Sequence, residues 1–463
     1  MRLVHPRAIS VFCFLMVLIG SALALIAGRS FVPKTHAVTA TPVFQWSMPK
    51  RFGARQPDGM PDFHWNEHDR TYSDDYVHPG SWTVQFNACS PNAGAGTTFS
   101  WEVDGAPLPN PNPTTCTLAH DFTAQGSHLV KLTLTAPDGA QASVEAPIVV
   151  KDLLIVSLGD SFASGQGSPD MKKHGSIPAR WVDHTCARSS LAGPAQAARS
   201  IEEADPHTSV TFLSFACSGA TVNAGLLGPQ QKGNIVVPAQ VSELKQALRG
   251  RPIDALLISI GGNDIGFAEL VARCIVQINC HQNQQTVDTF NHGLDGLEAL
   301  YQSLSDKLAD LPPITRTFIT EYPDLVRDGT GELCHKQPTF DLLRGITHDE
   351  AEWASQTVIS SLNQKIGEAA TKHSWTYVSG VSDRFRTHGY CAPDKVRWVN
   401  TFHDAKRIQG ADKQCDVASF ISSLRQCLIS SGTVHPSEGG YATYASRIIE
   451  SLQTAGVVTP PGP

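Results

Sequence analysis

The sequence has no excess of basic residues and only one long apolar run. Lysine and arginine number 36 against 43 aspartates and glutamates, a formal charge of -7. No nucleic-acid partner is therefore expected. The single apolar run excludes a multi-pass membrane protein. Of the 463 residues, 41% are hydrophobic, which excludes disorder, collagen and a long coiled coil and favours a globular chain of two or three domains.

Several catalytic motifs are also missing. No G-x-S-x-G turn occurs, so an α/β-hydrolase arrangement is not supported. The zinc-protease pattern H-E-x-x-H and the phosphate-binding pattern G-x-x-x-x-G-K-[ST] are absent as well. Gly165-Gln166-Gly167 follows an apolar run, but the rest of a dinucleotide fingerprint is lacking.

The long apolar run occupies residues 8–28 and follows Arg2, His5 and Arg7. A basic start and an apolar core are typical of an export signal, and the run is also long enough to span a bilayer. Segment 1–28 is thus predicted to be a signal peptide or a membrane anchor. Either reading places the rest of the chain outside the cytoplasm, secreted or membrane-anchored.

The cysteine count favours disulfide bonds. One of the 11 cysteines, Cys13, lies in the apolar run, and an even number remains, which in an exported chain indicates disulfides. Spacing favours Cys89–Cys116 and Cys274–Cys280. Zinc at His388/Cys391 or Cys280/His281 is disfavoured because no paired C-x-x-C accompanies either, and no metal is predicted. The ten cysteines proposed to pair are Cys89, Cys116, Cys186, Cys217, Cys274, Cys280, Cys334, Cys391, Cys415 and Cys427.

The first part of the exported chain differs from the rest. Residues 29–77 are rich in Pro, Gly, Asp and His without a sustained period, which predicts a linker or irregular segment. Residues 78–150 show period-2 runs separated by turn residues, which predicts a small all-β sandwich with Trp101 in its core. FSWEVDG and HDFTAQGSHLVKLTLTAPDG resemble a PKD or immunoglobulin-like module. It could bind a polymer or surface, or act as a spacer.

From residue 152 apolar runs alternate with helical stretches. This pattern predicts a parallel sheet covered by helices on both faces. Ligands bind such sheets at the carboxyl ends of the strands, so the loops that follow the runs are where the chemistry is expected. The predicted strands are 153–158, 210–215, 255–260, 315–320 and 375–380.

Four short segments at or near those loops carry reactive groups. They supply a hydroxyl, glycine-backed amides, a carboxamide and a histidine, which together meet the needs of acyl transfer. The segments are SLGDSFASGQG (157–167), FACSGAT (215–221), SIGGNDIGFA (259–268) and GTVHPSEGGY (432–441).

These four blocks, in this order, resemble the SGNH (GDSL-type) hydrolases over residues 152–457, leaving 458–463 as a tail. CARS at 186–189 and ACSGAT at 216–221 resemble a secreted, disulfide-bonded bacterial lipase and esterase subgroup. The resemblance implies an α/β fold, a three-layer α/β/α flavodoxin-like domain with about five parallel strands. It also implies the pairs Cys186–Cys217 and Cys334–Cys391, and Cys415–Cys427 would complete the set.

Catalytic roles follow from the same resemblance. Ser161 matches the nucleophile and His435 the general base, while Ser161, Gly219 and Asn263 match the oxyanion hole. Asp160 is expected to fix its loop through hydrogen bonds. No cofactor is implied, and the partner is an ester substrate: a lipid, an acylated glycan or a small ester.

One position departs from the family pattern. Where the family often has an aspartate three residues before the histidine, this chain has Gly432. The Gly432 carbonyl is predicted to orient the imidazole of His435, because a carbonyl can accept the ring N–H. A remote acid at Asp394, Asp404 or Asp416 is the alternative. The prediction is a Ser161–His435 dyad.

The sequence therefore predicts a secreted serine ester hydrolase, an esterase or lipase. The alternative is an adhesion or glycan-binding protein whose hydrolase domain is a degenerate scaffold, because a fold does not guarantee a function. The intact Ser161, Gly219, Asn263 and His435 favour the enzyme. The acyl chain, the alcohol and the oligomeric state are left open.

Overall fold

A computed structural model describes residues 42–53, 56–90, 93–277, 279–335, 345–410 and 432–459. The predicted signal or anchor segment 1–28 lies outside the described residues, as do Cys415, Cys427 and Asp416. No helix of the described ranges combines the length and the apolar character needed to cross a membrane.

Strands occupy both halves of the described chain. They are β1 (Gln45–Ser47), β2 (Trp65–Asn66), β3 (Thr71–Tyr72), β4 (Trp82–Asn87), β5 (Thr98–Val103), β6 (Ala106–Pro107), β7 (Thr117–Phe122), β8 (Gly126–Thr135), β9 (Gln141–Gly159), β10 (Thr208–Ser214), β11 (Gln230–Lys232), β12 (Ile235–Val237), β13 (Ile253–Ser259), β14 (Ile314–Thr320) and β15 (Thr376–Val378).

Most helices follow residue 160. They are α1 (Asp74–Val77), α2 (Ser161–Ser164), α3 (Gly193–Ala204), α4 (Gln240–Leu248), α5 (Phe267–Val276), α6 (Gln284–Leu308), α7 (His348–Glu352), α8 (Ser360–Lys372), α9 (Val381–Phe385), α10 (Phe402–Gln409) and α11 (Glu438–Thr454), with a 3₁₀ turn at Cys280–Gln282 and a π-helical stretch at Trp353–Ile359.

Five parallel strands form the central sheet, in the order β10-β9-β13-β14-β15. The chain moves from β9 to β10 in one direction and then returns past β9 to β13. Because crossovers between parallel strands are right-handed, this reversal places the connecting helices on opposite faces. Helices α3 and α11 pack together, and α6 packs against α8. The predicted three-layer α/β/α fold with about five parallel strands is confirmed.

Strand β9 belongs to both halves of the molecule. Its first part pairs antiparallel with β8, and its last part pairs parallel with β10 and β13. The buried Asp152 lies where the pairing changes and accepts hydrogen bonds from Arg51, Arg251 and the indole N–H of Trp82. Because a buried charge is costly without partners, this carboxylate ties three distant segments to β9.

The N-terminal region is rich in strands, as predicted. Strands β1, β4 and β7 form one sheet, and β6, β5, β8 and the start of β9 form another. Between them lies a second apolar core that contains Phe86, Trp101 and Leu132, so Trp101 occupies the core position expected for it. A disulfide joins Cys89 to Cys116 beside β4 and β7. Kinship with PKD or immunoglobulin-like modules stays a prediction.

Part of the predicted linker closes the edge of the parallel sheet. The hydroxyl of Tyr76 accepts from the Phe212 N–H at 2.8 Å and donates to the Phe212 carbonyl. The hydroxyl of Tyr72 does the same for Ser214, with distances of 2.7 and 3.0 Å. Strand β10 is an edge strand, and unpaired edge groups invite aggregation. The two tyrosines therefore replace part of a neighbouring strand.

We expect Tyr76→Phe to lower the free energy of unfolding by about 1–3 kcal/mol, because it leaves the buried Phe212 backbone groups without a partner. Urea unfolding monitored by circular dichroism measures the change. Tyr444→Phe is the matched control, since the buried Tyr444 hydroxyl has no hydrogen-bond partner among the described residues. Equal losses in the two variants would contradict the edge-closing role.

Candidate active site

Ser161 stands where strand β9 turns into helix α2. Gly159, the last residue of β9, has φ of +143°, and a Cβ there would lie 2.1 Å from the Ser259 carbonyl oxygen, so only glycine fits. Asp160 caps the helix and accepts from the Phe162 N–H at 2.9 Å. The turn therefore fixes the Ser161 hydroxyl at the carboxyl edge of the sheet.

His435 comes from the loop before α11 and meets Ser161. Its Nε2 lies 2.7 Å from Ser161 Oγ, and its Nδ1 lies 2.9 Å from the Thr433 carbonyl oxygen. A carbonyl only accepts, so Nδ1 carries the proton and Nε2 is left as the acceptor in the neutral ring. The arrangement leaves the imidazole able to take the serine proton.

The prediction that the Gly432 carbonyl orients the ring is wrong. That carbonyl accepts from the His435 backbone N–H at 3.3 Å, and the turn brings the Thr433 carbonyl to Nδ1 instead. Of the proposed remote acids, Asp394 and Asp404 form ion pairs with Arg397. The orienting group is therefore the carbonyl one residue further along the loop.

The His435 loop has an unusual backbone that a buried asparagine holds in place. Val434 has φ of +62°, a region that β-branched residues rarely occupy. Its N–H donates to the Asn400 carbonyl, and the Asn400 N–H donates to the His435 carbonyl, both at 2.9 Å. The Asn400 carboxamide also donates to the Gly167 carbonyl at 3.0 Å. No sequence motif marks Asn400, and sequence analysis missed it.

Burial shifts the titration of the site. Loss of solvent around His435 lowers its pKa to about 4, and the bond to the Thr433 carbonyl opposes that shift only in part. Burial also raises the pKa of Asp160 to about 7, against the hydroxyl of Tyr322, which donates to its carboxylate. At neutral pH the imidazole is therefore neutral, as a proton acceptor must be.

Gly219 and Asn263 line the same pocket as Ser161 and His435, a space of about 560 Å³. Gly219 has φ of +76°. One N–H of the Asn263 carboxamide donates to the Ala220 carbonyl at 2.9 Å, and its nitrogen carries a second N–H. The structure thus brings together all four predicted positions.

The loop that carries Gly219 is fixed from several sides. The Cys186–Cys217 disulfide crosses its start, and the Ser218 N–H donates to the Cys186 carbonyl at 3.0 Å. The Ser218 carbonyl accepts from the Gln230 side chain at 2.8 Å and from the Lys232 ammonium at 2.9 Å. Sequence analysis gave no role to Gln230 or Lys232, because no motif surrounds them.

An apolar groove of about 880 Å³ adjoins the pocket. Phe267, Val271 and Val434 line both spaces, so the two lie side by side and share these side chains. The remaining apolar wall of the groove includes Leu270, Leu325, Ile346, Trp353, Val358, Ile359 and Tyr390.

Two disulfides crosslink the wall of the groove. Cys274 bonds to Cys280 and Cys334 to Cys391, and Cys274 and Cys334 line the groove. Four of the five predicted disulfides are thus present, and Cys415–Cys427 lies outside the described residues. Cys280 and Cys391, considered above for zinc, are both in these disulfides.

Comparison with known sequences identifies relatives. Residues 157–443 match the GDSL-like Lipase/Acylhydrolase family. Lipase 1 of Streptomyces coelicolor is 28% identical over 256 residues, covering 53% of this chain and 77% of the relative. A lipase of Streptomyces rimosus is 33% identical over 158 residues, covering 33% of this chain and 46% of the relative.

Among solved structures, the chain is similar to an extracellular lipase from Streptomyces rimosus, with 19% sequence identity and a TM-score of 0.42. The match covers 65% of this chain and 99% of that one. A phospholipase A1 from Streptomyces albidoflavus is 21% identical with a TM-score of 0.41, covering 64% of this chain and 98% of that one. The family match, by contrast, spans more than half of the chain and contains Ser161, Gly219, Asn263 and His435. The protein belongs to the GDSL-like lipase/acylhydrolase family and is a carboxylic ester hydrolase.

Proposed function

We propose that the protein cleaves esters through an acyl-enzyme on Ser161, with His435 as general base. The 2.7 Å contact between Ser161 Oγ and His435 Nε2 carries this proposal. As Oγ bonds to the ester carbonyl carbon, Nε2 takes the hydroxyl proton. When the C–O bond to the alcohol breaks, the imidazolium returns that proton to the leaving oxygen.

The second half of the reaction uses the same groups. Nε2 takes a proton from water as the water oxygen attacks the acyl carbon, and the proton returns to Ser161 Oγ when the carboxylic acid leaves. The Ser161 and Gly219 N–H groups and the Asn263 carboxamide bind the carbonyl oxygen while it is negative. The Thr433 carbonyl keeps the ring in the required tautomer throughout.

The groove supports an apolar acyl chain as the substrate's acid part. It shares Phe267, Val271 and Val434 with the pocket, and its wall is almost entirely apolar. Burying methylene groups there contributes about 0.8 kcal/mol each. A fatty acyl ester gains this energy and an acetylated glycan does not. The groove therefore favours lipid-like esters among the three substrate classes.

The location proposed for the enzyme is outside the cytoplasm. The apolar run at 8–28 behind a basic start supports export, and the four disulfides support an oxidising compartment. Secretion and retention by an anchor both satisfy these observations. Residues 78–150 are proposed as a spacer module that precedes the hydrolase domain at 152–457 and shares strand β9 with it.

We expect Ser161→Ala to lower hydrolysis of p-nitrophenyl esters by about 10⁴-fold or more, because the acyl-enzyme can no longer form. The rates are measured on the oxidised protein with acetate to palmitate esters, alongside labelling by a fluorophosphonate. Ser303→Ala is the control, since Ser303 lies exposed on α6. Activity or labelling that survives in Ser161→Ala would refute the acyl-enzyme.

The pH profile tests His435 as the base. Only the neutral imidazole accepts the proton, and its lowered pKa keeps it neutral down to about pH 4. We expect kcat/KM to be level from pH 8 to about 5 and to fall tenfold per pH unit below about 4. Circular dichroism at each pH separates this limb from acid unfolding. An acid limb near the ordinary histidine pKa of about 6.5 would overturn the lowered pKa of His435. A profile with no acid limb in the folded protein would contradict His435 as the base.

Filling the groove should change chain-length preference. We expect Ala354→Trp to lower kcat/KM for p-nitrophenyl decanoate by at least about tenfold, because several methylene groups lose their burial, and to leave the acetate ester within about twofold. Ala354 lines the groove. Ala299→Trp, on the exposed face of α6, is the matched control. Equal losses on both esters would place the acyl chain elsewhere.

A further inference from the structure

Two side chains of the β11–β12 hairpin converge on one backbone oxygen. Gln230 Nε2 and Lys232 Nζ lie 2.8 and 2.9 Å from the carbonyl oxygen of Ser218. Strand β11 places residues 230 and 232 on the same face, because alternate residues in a strand point the same way. The hairpin therefore presents a neutral and a charged donor to a single acceptor.

That oxygen belongs to the peptide unit that supplies the Gly219 N–H. A trans peptide is planar, and its carbonyl and N–H point in opposite directions. Fixing the Ser218 carbonyl on one side therefore fixes the direction of the Gly219 N–H on the other. Gly219 lines the catalytic pocket, and its φ of +76° is one that glycine adopts freely.

The two donors also make the Gly219 N–H a stronger hydrogen-bond donor. Hydrogen bonds in a chain polarise one another, so donors on a carbonyl oxygen make the N–H of the same peptide a better donor. A charged donor such as Lys232 has the larger effect. Donors on the Ser218 carbonyl oxygen draw electron density out of the peptide, so the Gly219 hydrogen becomes more positive. In the mechanism proposed above, this hydrogen faces the substrate oxygen that becomes negative during catalysis.

The surroundings of Lys232 suit this use of its charge. The side chain is partly buried, and burial lowers its pKa. Within the described ranges its ammonium makes no ion pair, and its hydrogen bond goes to the Ser218 carbonyl. Asp183, the acid that acts on it from further away, already pairs with Arg70 and Arg188. The Ser218 carbonyl therefore receives the ammonium's hydrogen bond, and the carboxylate that acts on Lys232 is shared with two arginines.

Other contacts hold the rest of Ser218. Its hydroxyl donates to the Gln166 side chain, and its N–H donates to the Cys186 carbonyl. A Cβ on Gly219 would lie 3.3 Å from Gln230 Nε2, which shows how closely the donor packs on this peptide. The peptide can therefore not turn without breaking several contacts at once.

We propose that Lys232 and Gln230 are positioning residues that orient and polarise the Ser218–Gly219 peptide, so that the Gly219 N–H binds the oxyanion of the tetrahedral intermediate. This proposal rests on the function proposed above. Neither side chain touches the substrate. Their effect is on the transition state, so they act on kcat and leave substrate binding almost unchanged.

The test compares Lys232→Met with Lys232→Arg and with Lys245→Met, an exposed lysine on α4. Turnover of p-nitrophenyl butyrate gives kcat and KM, and an alkyl trifluoromethyl ketone, which forms a tetrahedral adduct with serine, gives an inhibition constant. We expect Lys232→Met to lower kcat about tenfold and to raise the inhibition constant of the ketone about tenfold, while KM stays within about twofold. These effects are smaller than the loss in kcat when a whole oxyanion donor is removed.

Recovery of kcat in Lys232→Arg distinguishes a positioning role of Lys232 from a general effect on folding. Lys232→Arg keeps a charged donor and should restore kcat to within about threefold, while Lys245→Met should match the unaltered protein. An unchanged kcat in Lys232→Met, or an equal loss in Lys232→Arg, would overturn the inference while the Ser161 mechanism stands. If the unaltered protein hydrolyses no ester and resists fluorophosphonate, the proposed mechanism and this inference fall together.

Discussion

The continuity of strand β9 is the constraint on which both the fold and the site depend. Its first half completes a sheet of the N-terminal region, and its second half lies between β10 and β13 in the parallel sheet. It ends at Gly159, whose N–H and carbonyl are both bound by the Gln240 carboxamide and whose carbonyl also receives the Cys217 N–H. Ser161 and the loop that carries Gly219 are therefore positioned from the same strand end.

Much of the hydrolase fold could be predicted from hydrophobic pattern, because buried parallel strands are continuous apolar runs. The five predicted runs overlap β10, β13, β14, β15 and the last part of β9. The continuation of β9 back to Gln141, across the predicted domain boundary, was not predicted. The closure of the β10 edge could not be predicted in this way. Tyr72 and Tyr76 act through hydroxyls that meet strand backbone more than a hundred residues away, within a segment that has no period of its own. A hydrophobic pattern shows only residues that repeat at short spacing along the chain. The contacts of these tyrosines with β10 involve no such repeat.

The same distinction applies to the site. Ser161, Gly219, Asn263 and His435 were predictable because each lies in a short motif, and the structure gathers them around one pocket. The groups that hold them were not. Thr433 acts through its carbonyl, which every residue has, and Asn400 and Lys232 act through contacts that only the folded chain creates. A sequence shows which residues carry reactive side chains. Which backbone carbonyl accepts from His435 depends on the geometry of its loop, which the sequence does not show.

The backbone and the side chain of Val434 favour different residues at this position. Its backbone is held in a left-handed conformation that costs a β-branched residue about 1–3 kcal/mol, yet its side chain forms part of the wall shared by pocket and groove. Glycine or asparagine would relax the backbone and shorten or polarise that wall. A substitution at this one position that makes the protein more stable would therefore also change the lining of both the pocket and the groove.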